Sequence, residues 1–238
     1  MEGAAGYNAW LFERCRPHLG KRVLDAGAGI GTFTALAAPG RRVVAVEPDP
    51  AVLGPLRKRF EGHADVTVVE GTAADVTGEF DSVICLNVLE HISDDRGTLA
   101  RFHSLLTPGG KLLLLVPAHP FLYGTIDRTL EHERRYRKRD LGQLLGEVGF
   151  VVEELRLVNP LGAAGWFVSS RVLRREHVPE GPLRLYDKVA PLLRAVDRVE
   201  LPVGLSVWAV ARRRAAEDAQ EERAEDALDA ERDQRHAE

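Results

Sequence analysis

Residues 22–31 read Arg-Val-Leu-Asp-Ala-Gly-Ala-Gly-Ile-Gly, and a later apolar run, Val43-Val44-Ala45-Val46, ends on Glu47-Pro48-Asp49. No other feature restricts the fold as much. Val23-Leu24 closes a short apolar strand, and Asp25 stands at its C-terminal tip. Gly27, Gly29 and Gly31 follow as a turn where backbone can approach a ligand with no side chain between. A helix starting near Gly31 points its unbonded N–H groups the same way. Glu47, at the end of the second strand, offers a carboxylate that can accept both hydroxyls of a ribose. Taken alone, the loop is also compatible with a strand–helix turn that holds nothing. Together with Glu47 it implies a parallel α/β sheet and an adenosine-containing cofactor.

The spacing narrows the cofactor. In a G-x-G-x-x-G dinucleotide frame started at Gly27, the last position is Thr32. No Gly-Lys-Ser/Thr ending marks a phosphate loop. The frame is instead Asp-x-Gly-x-Gly-x-Gly. An acidic side chain ahead of the glycines repels a pyrophosphate and attracts an ammonium group, directly or through water. A nicotinamide dehydrogenase is the reading that Thr32 counts against.

At 238 residues with 45% apolar content, the chain suits one α/β domain with a small insertion. The net charge of −4 is unevenly placed, because residues 212–238 carry six arginines and ten acids, the whole of the excess. The rest is balanced, which gives no electrostatic case for nucleic acid. The tail, 214–238, has Leu228 as its one large apolar side chain and reads as solvated helix or disorder. Cys15 and Cys85 read as thiols, not a disulfide. No leader or bilayer-spanning run is evident, so a reducing cytoplasm is expected.

Strands are expected at 22–26, 43–47, 66–70, 80–87, 111–117 and 151–158, with a last one at 204–212. Helices are expected at 7–19, 32–38, 50–60, 94–106 and 139–148, and Thr107-Pro108-Gly109-Gly110 is a turn. Strands alternating with helices argue a parallel sheet covered on both faces. Residues 1–20 form an N-terminal helix ahead of a domain at 21–213. An insertion at 160–200 carries two amphipathic stretches, Leu161–Arg175 and Pro182–Val199, which read as a cap over the site or a dimer surface. Trp166-Phe167 with Arg171, Arg174 and Arg175 could rest on a membrane interface, although helix packing is the preferred reading. A monomer or a homodimer is expected.

Several segments resemble the class I S-adenosylmethionine (SAM) methyltransferases, in the family's order. Val23–Thr34 resembles motif I, and Val43–Pro50 motif II, with Glu47 for the ribose and Pro48 beside the adenine. Glu70–Asp75 stands where the family often has Gly-Asp-Ala; Thr72 takes the aspartate position, leaving that contact to the Thr72 hydroxyl and Ala73 backbone. Phe80–Ile92 resembles motif IV, with Asn87 and Val88 at the methionine end, and Leu106–Val116 the strand that follows. The resemblance spans residues 20–155. It implies a Rossmann-like, seven-stranded, three-layer sheet with the last strand antiparallel, SAM as cofactor and S-adenosylhomocysteine as product. Residues 117–136, with Leu-Tyr-Gly, Asp127, His132 and Arg-Arg-Tyr, resemble a bacterial subgroup whose acceptors are often unassigned.

The expected reaction moves a methyl group to oxygen or nitrogen of a small molecule. A sulfonium is already a good leaving group, so the protein must position the acceptor, exclude water and take a proton from a hydroxyl. His132 and His119 are the favoured bases, with Asp127 to orient one; His91 is a third candidate or a helix-start residue bonded to backbone. Tyr123, Asp127, Arg134, Arg135, Tyr136 and Trp166 are candidate acceptor contacts, the two arginines for an acidic group. The alternative is that these side chains bond one another, or that Glu131 and Glu133 neutralise the arginines. His119, Asp127 and His132 match no zinc spacing, so no metal is expected. A cyclase-like enzyme of the same fold and a non-catalytic interaction protein are the other functions considered.

Overall fold

Each apolar run becomes a strand because its Val, Leu and Ile side chains are covered on both faces of one sheet. The computed structural model describes residues 5–173, 175 and 201–215. Its strands are β1 (Arg22–Ala26), β2 (Arg42–Glu47), β3 (Val66–Glu70), β4 (Phe80–Leu86), β5 (Leu106–Pro117), β6 (Phe150–Val158) and β7 (Ser206–Arg213). They form a seven-stranded sheet in the order β3-β2-β1-β4-β5-β7-β6. β7 runs antiparallel to both β5 and β6, and the other pairings are parallel. This is the expected doubly covered sheet with its last strand inserted in reverse.

The helices are α1 (Ala5–Cys15), α2 (Thr32–Ala37), α3 (Pro50–Arg59), α4 (Asp95–Leu105), α5 (Thr125–Thr129), α6 (Lys138–Val148) and α7 (Pro160–Trp166). Local chemistry sets their ends. Asp49 caps α3 by accepting from the Ala51 N–H, with Pro50 in the first turn. Asp94 caps α4 through the Gly97 N–H. Gly149 closes α6 in the left-handed region, φ 105°. α1 lies on one face of the sheet, where Trp10, Leu11, Phe12 and Cys15 join Val23, Ile84, Leu113, Trp208 and Val210 in one apolar cluster. On the other face Leu99, Phe102, Leu141 and Leu145, from α4 and α6, pack on Leu24, Val83, Leu112 and Leu114. Burying a Leu or Phe side chain contributes about 2 kcal/mol, so these two layers hold the sheet.

Two expectations change. Thr107–Gly110 is a bulge inside β5: Phe80 pairs with Leu106, and the next pair is Ser82 with Lys111. Gly109, φ 79°, absorbs the extra residues. The stretch 161–175 is not one regular helix, since α7 ends at Trp166 and a π-helical turn, Phe167–Val172, continues it. Phe167, Val168 and Leu173 are exposed there, so that stretch does not bury one apolar face. The second amphipathic stretch, Pro182–Val199, and all but the first two residues of the tail lie outside the described residues. Cys15 and Cys85 are buried free thiols whose pKa burial raises.

The strand order fixes where a site can be. β1 has β2 on one side and β4 on the other, so the connections leave its carboxyl end in opposite directions and open a crevice there. Gly27–Gly31, Glu47 and Asn87 all follow the carboxyl ends of these three strands.

Candidate active site

The glycine loop is held from below by backbone. The N–H groups of Gly27 and Ala28 both donate to the Val46 carbonyl, 2.9 and 3.1 Å. Gly27, Gly29 and Gly31 have φ of 68°, 56° and 80°, a region that glycine enters without strain. The three have different surroundings. A Cβ on Gly27 would meet Val88 Cγ2 at 2.4 Å, and one on Gly31 would meet Phe60 Cε2 at 2.4 Å. A Cβ on Gly29 would meet nothing within 4 Å. Gly31 therefore packs closely against Leu56 of α3 and Phe60 just beyond it. Gly29 borders open space, and Gly27 explains Val88, which closes the loop from the β4 side.

Glu47 stands where the sequence placed it and is buried. Its Oε2 accepts from the Gly29 N–H at 2.7 Å and its Oε1 from the Asp49 N–H at 2.9 Å. The carboxylate is thereby fixed beside the open face of the loop, with lone pairs left on both oxygens. Asp25 differs from expectation. It is 3% exposed, and its Oδ2 accepts from the Thr34 hydroxyl at 2.6 Å. Burial pushes this carboxyl up to about 6, against the lowering effect of the Thr34 hydrogen bonds. Asp25 thus pins α2 to β1 beneath the loop through its Oδ2. Thr34 is a loop-positioning residue that sequence reasoning missed; a hydroxyl on the buried face of a short helix was the only signal.

Thr72 also turns inward. It caps a short 3-10 turn with Asp75: the Thr72 hydroxyl and N–H both donate to Asp75 Oδ2, and the Ala74 N–H donates to the Thr72 hydroxyl. These bonds hold Asp75 below the usual carboxylate range. The Thr72 hydroxyl proton is therefore committed, and the Ala73 carbonyl accepts from Arg101 Nε at 3.1 Å. Pro48 is exposed at the end of β2. Asn87, φ 54°, is a left-handed non-glycine residue directly after β4, with its N–H on the Leu115 carbonyl.

The segment after β5 folds around Asp127, which is fully buried at the core of a polar network. Its Oδ1 accepts from Arg135 Nε at 2.6 Å and lies 2.9 Å from His132 Nδ1; its Oδ2 accepts from the Gly124 N–H at 2.9 Å and from Trp166 Nε1 at 3.3 Å. Burial would raise Asp127, but the bonds from His132 and Arg135 outweigh it and hold the carboxyl below its ordinary range. Arg135 also donates to the Ala118 carbonyl and lies over the Trp166 ring, 4.7 Å to its centre. Arg134 pairs with Asp95 at 2.8 Å and donates to the Ser93 carbonyl; the Tyr136 hydroxyl donates to Asp95 at 3.0 Å. The Tyr123 hydroxyl donates to the His132 carbonyl at 2.8 Å. Arg135 and Tyr136 are thus buried and bonded within this network, the arrangement of the alternative in which these side chains bond one another. Arg134 is committed to Asp95, so Glu131 and Glu133 are not the partners of either arginine among the described ion pairs.

Three histidines border the same end of the sheet. His119 follows β5 with φ 60°, and its Nε2 is buried with no hydrogen-bond partner. Burial and the nearby Arg135 lower its pKa, so the ring is neutral at pH 7. His91 and His132 stand edge to face, 4.8 Å between ring centres, beside the buried Glu90. Burial pushes the Glu90 carboxyl up to about 8.

The comparisons with known proteins agree with this geometry. Residues 5–155 match the model of a methyltransferase domain family. A ubiquinone biosynthesis O-methyltransferase from Azotobacter vinelandii is 37% identical over 109 residues, 43% of this chain and 47% of the relative. The chain thus spans about half the length of the curated relatives it matches. Among solved structures, a 1,6-didemethyltoxoflavin-N1-methyltransferase from Burkholderia thailandensis, bound to that compound and S-adenosylhomocysteine, superposes with TM-score 0.55 at 22% identity, covering 89% of this chain and 79% of that one. Magnesium protoporphyrin IX methyltransferase from Synechocystis, with S-adenosylhomocysteine, gives TM-score 0.55 at 18% identity, covering 89% and 82%. These likenesses establish the shared sheet. The match over 5–155, on a chain whose glycine loop and Glu47 sit at the sheet's switch point, shows that it belongs to the class I SAM-dependent methyltransferase family.

Proposed function

We propose that this protein transfers a methyl group from SAM to an oxygen or nitrogen of a small-molecule acceptor. The observation that carries the reading is the open space at Gly29, whose N–H is held by the fixed Glu47 carboxylate. That donor and acceptor set fits an adenosine ribose and an amino-acid end. Glu47 would accept from the ribose hydroxyls, the Gly29 backbone would allow close approach, and Asn87 and Val88 would border the methionine end. Asp25 would act at one remove, by holding α2 and hence the loop. SAM, when bound, supplies an electrophilic methyl on a positively charged sulfur.

The chain's own residues do the rest. His119 is our choice of base for a hydroxyl acceptor: its ring is neutral, its Nε2 has no partner, and its strained backbone fixes it at the end of β5. An amine acceptor arriving neutral needs no such base. The segment 117–136 forms the wall nearest the acceptor, held by Asp127. Among the described residues no helix is long and apolar enough to cross a membrane. The relatives' small-molecule substrates support a small-molecule acceptor. Two buried free thiols support a reducing compartment.

Titration with S-adenosylhomocysteine tests the site. Saturable binding that Glu47→Ala weakens by at least about tenfold supports it, that factor being about 1.4 kcal/mol. Equal affinity in the variant would overturn the assignment. Transfer of labelled methyl from SAM to a small-molecule fraction tests the activity itself.

A further inference from the structure

Among the described residues, one group of three metal-ligating side chains has its donor atoms within 4.8 Å of one another: Glu90, His91 and His132. It is not the His119–Asp127–His132 set considered from the sequence, because Asp127 lies behind His132 and not beside it in a ligand shell. We propose that Glu90, His91 and His132 bind a first-row divalent transition cation such as Zn2+, with one coordination position left open.

Four observations support this. The first is the donor set. Two imidazoles and one carboxylate suit zinc and its neighbours, whereas magnesium and calcium take oxygen ligands. The second is Glu90 Oε2, a buried carboxylate oxygen with no hydrogen-bond partner, on a residue 1% exposed. Such an atom is costly to leave unsatisfied, and a cation satisfies it. The third is the outer shell. Asp127 Oδ1 lies 2.9 Å from His132 Nδ1, which fixes the tautomer and leaves Nε2 as the donor nitrogen. A metal-bound histidine characteristically donates its second N–H to a carboxylate or a carbonyl, and Asp127 is that partner for His132. The fourth is rigidity. The Glu133 N–H donates to the Glu90 carbonyl at 2.8 Å, the His132 N–H to the Asp127 carbonyl at 2.9 Å, and Tyr123 to the His132 carbonyl. Two segments far apart in sequence are thereby tied at the ligand positions.

Charge and geometry are compatible with a dication. Arg135 is already paired with Asp127, so the buried Glu90 carboxyl has no ion-pair partner of its own among the described residues. Donors around a tetrahedral zinc at about 2.1 Å lie roughly 3.4 Å apart, so no pair has to close by more than about 1.4 Å. His91 is exposed at the end of a 3-10 turn, where a change of side-chain rotamer meets the least packing. The open position would face the wall assigned above to the acceptor, but the proposal does not depend on methyl transfer.

The test uses the full chain without an affinity tag. Calorimetric titration with Zn2+, and absorption of the Co2+-substituted protein, should show one strong site per chain. Glu90→Gln and His91→Ala should each weaken it by more than about 100-fold, beyond what loss of an outer-shell partner causes. Affinity for S-adenosylhomocysteine, measured in the same variants, reports that they are folded and keeps failure here separate from failure of the methyltransferase reading. Folded variants that bind Zn2+ as tightly as the parent chain would overturn the proposal. So would a parent chain with no saturable site.

Discussion

At the residue scale, three glycines of one motif carry three different constraints. Gly31→Ala forces a Cβ into Phe60 and Leu56 at a left-handed backbone, so it should lower folding stability by about 2 kcal/mol or more. Gly29→Ala meets no neighbour and should cost only the roughly 1 kcal/mol of its backbone strain, yet its methyl enters the open space there. Urea unfolding and titration with S-adenosylhomocysteine should therefore separate the two: stability falls mainly in Gly31→Ala, and affinity falls out of proportion to stability in Gly29→Ala. Asp25 makes a second prediction. Its folded pKa, about 6, lies above the ordinary carboxyl value of 3.8, so the folded state takes up a proton. Its contribution is fully present below pH 3.8 and is lost as the pH rises through 6, by about 3 kcal/mol at 1.36 per unit. Asp25→Asn should remove that slope in the ligand-free protein; parallel stability curves at pH 4 and pH 7 would contradict it. The sequence made the loop, Glu47 and Asn87 legible because spacing after a strand determines them. It did not show that Asp25 turns to Thr34, or Thr72 to Asp75, since a short polar side chain can bond locally or reach outward with equal ease.

At the element scale, the segment from Pro117 to Tyr136 is organised by one carboxylate. α5 begins at Gly124, whose N–H Asp127 accepts; α7 is tied in through Trp166, and β5 through Arg135 and the Ala118 carbonyl. Removing one side of the buried Asp127–Arg135 pair leaves a charge without compensation, which typically costs 3–5 kcal/mol. Asp127→Ala should therefore destabilise by about that amount. Arg135→Met in the same background should recover a large part, because an apolar side chain of similar length needs no partner. A double-mutant cycle by chemical denaturation checks this, and a coupling energy below about 0.5 kcal/mol would contradict the central role of the pair. This network was only half legible. The sequence suggested that Tyr123, Asp127 and the arginines might bond one another, but Trp166 is 39 residues from Asp127 and Asp95 is 41 from Tyr136. Such pairings follow from where β4, β5 and α7 converge, which local pattern does not encode.

At the scale of the whole molecule, the order of strands determines which parts can be removed. The alternation of strands and helices was readable in advance because a strand buried on both faces is a continuous apolar run, and because turns carry their own glycines and prolines. The π-helical continuation of α7 was not, since its exposed Phe167, Val168 and Leu173 make an apolar pattern that resembles a buried helix face. β7 is the last of the described strands yet lies between β5 and β6, pairing with β5 from Lys111↔Arg212 to Pro117↔Ser206. Trp208, Val210 and Ala211 in it are fully buried, and Arg212 pairs with Glu153 on β6. Ending the chain after Leu205 would remove an interior strand and separate β6 from the sheet, so no cooperative unfolding transition should remain. Ending it after Ala215 keeps every described strand while removing residues 216–238, which contain ten acids and three arginines. That shorter chain should unfold within about 3 °C of the full chain and bind S-adenosylhomocysteine equally well. Thermal unfolding followed by circular dichroism, with a parallel ligand titration, distinguishes the cases. A large loss of stability or affinity on removing 216–238 alone would show that the acidic segment, not the sheet, completes the fold or the site.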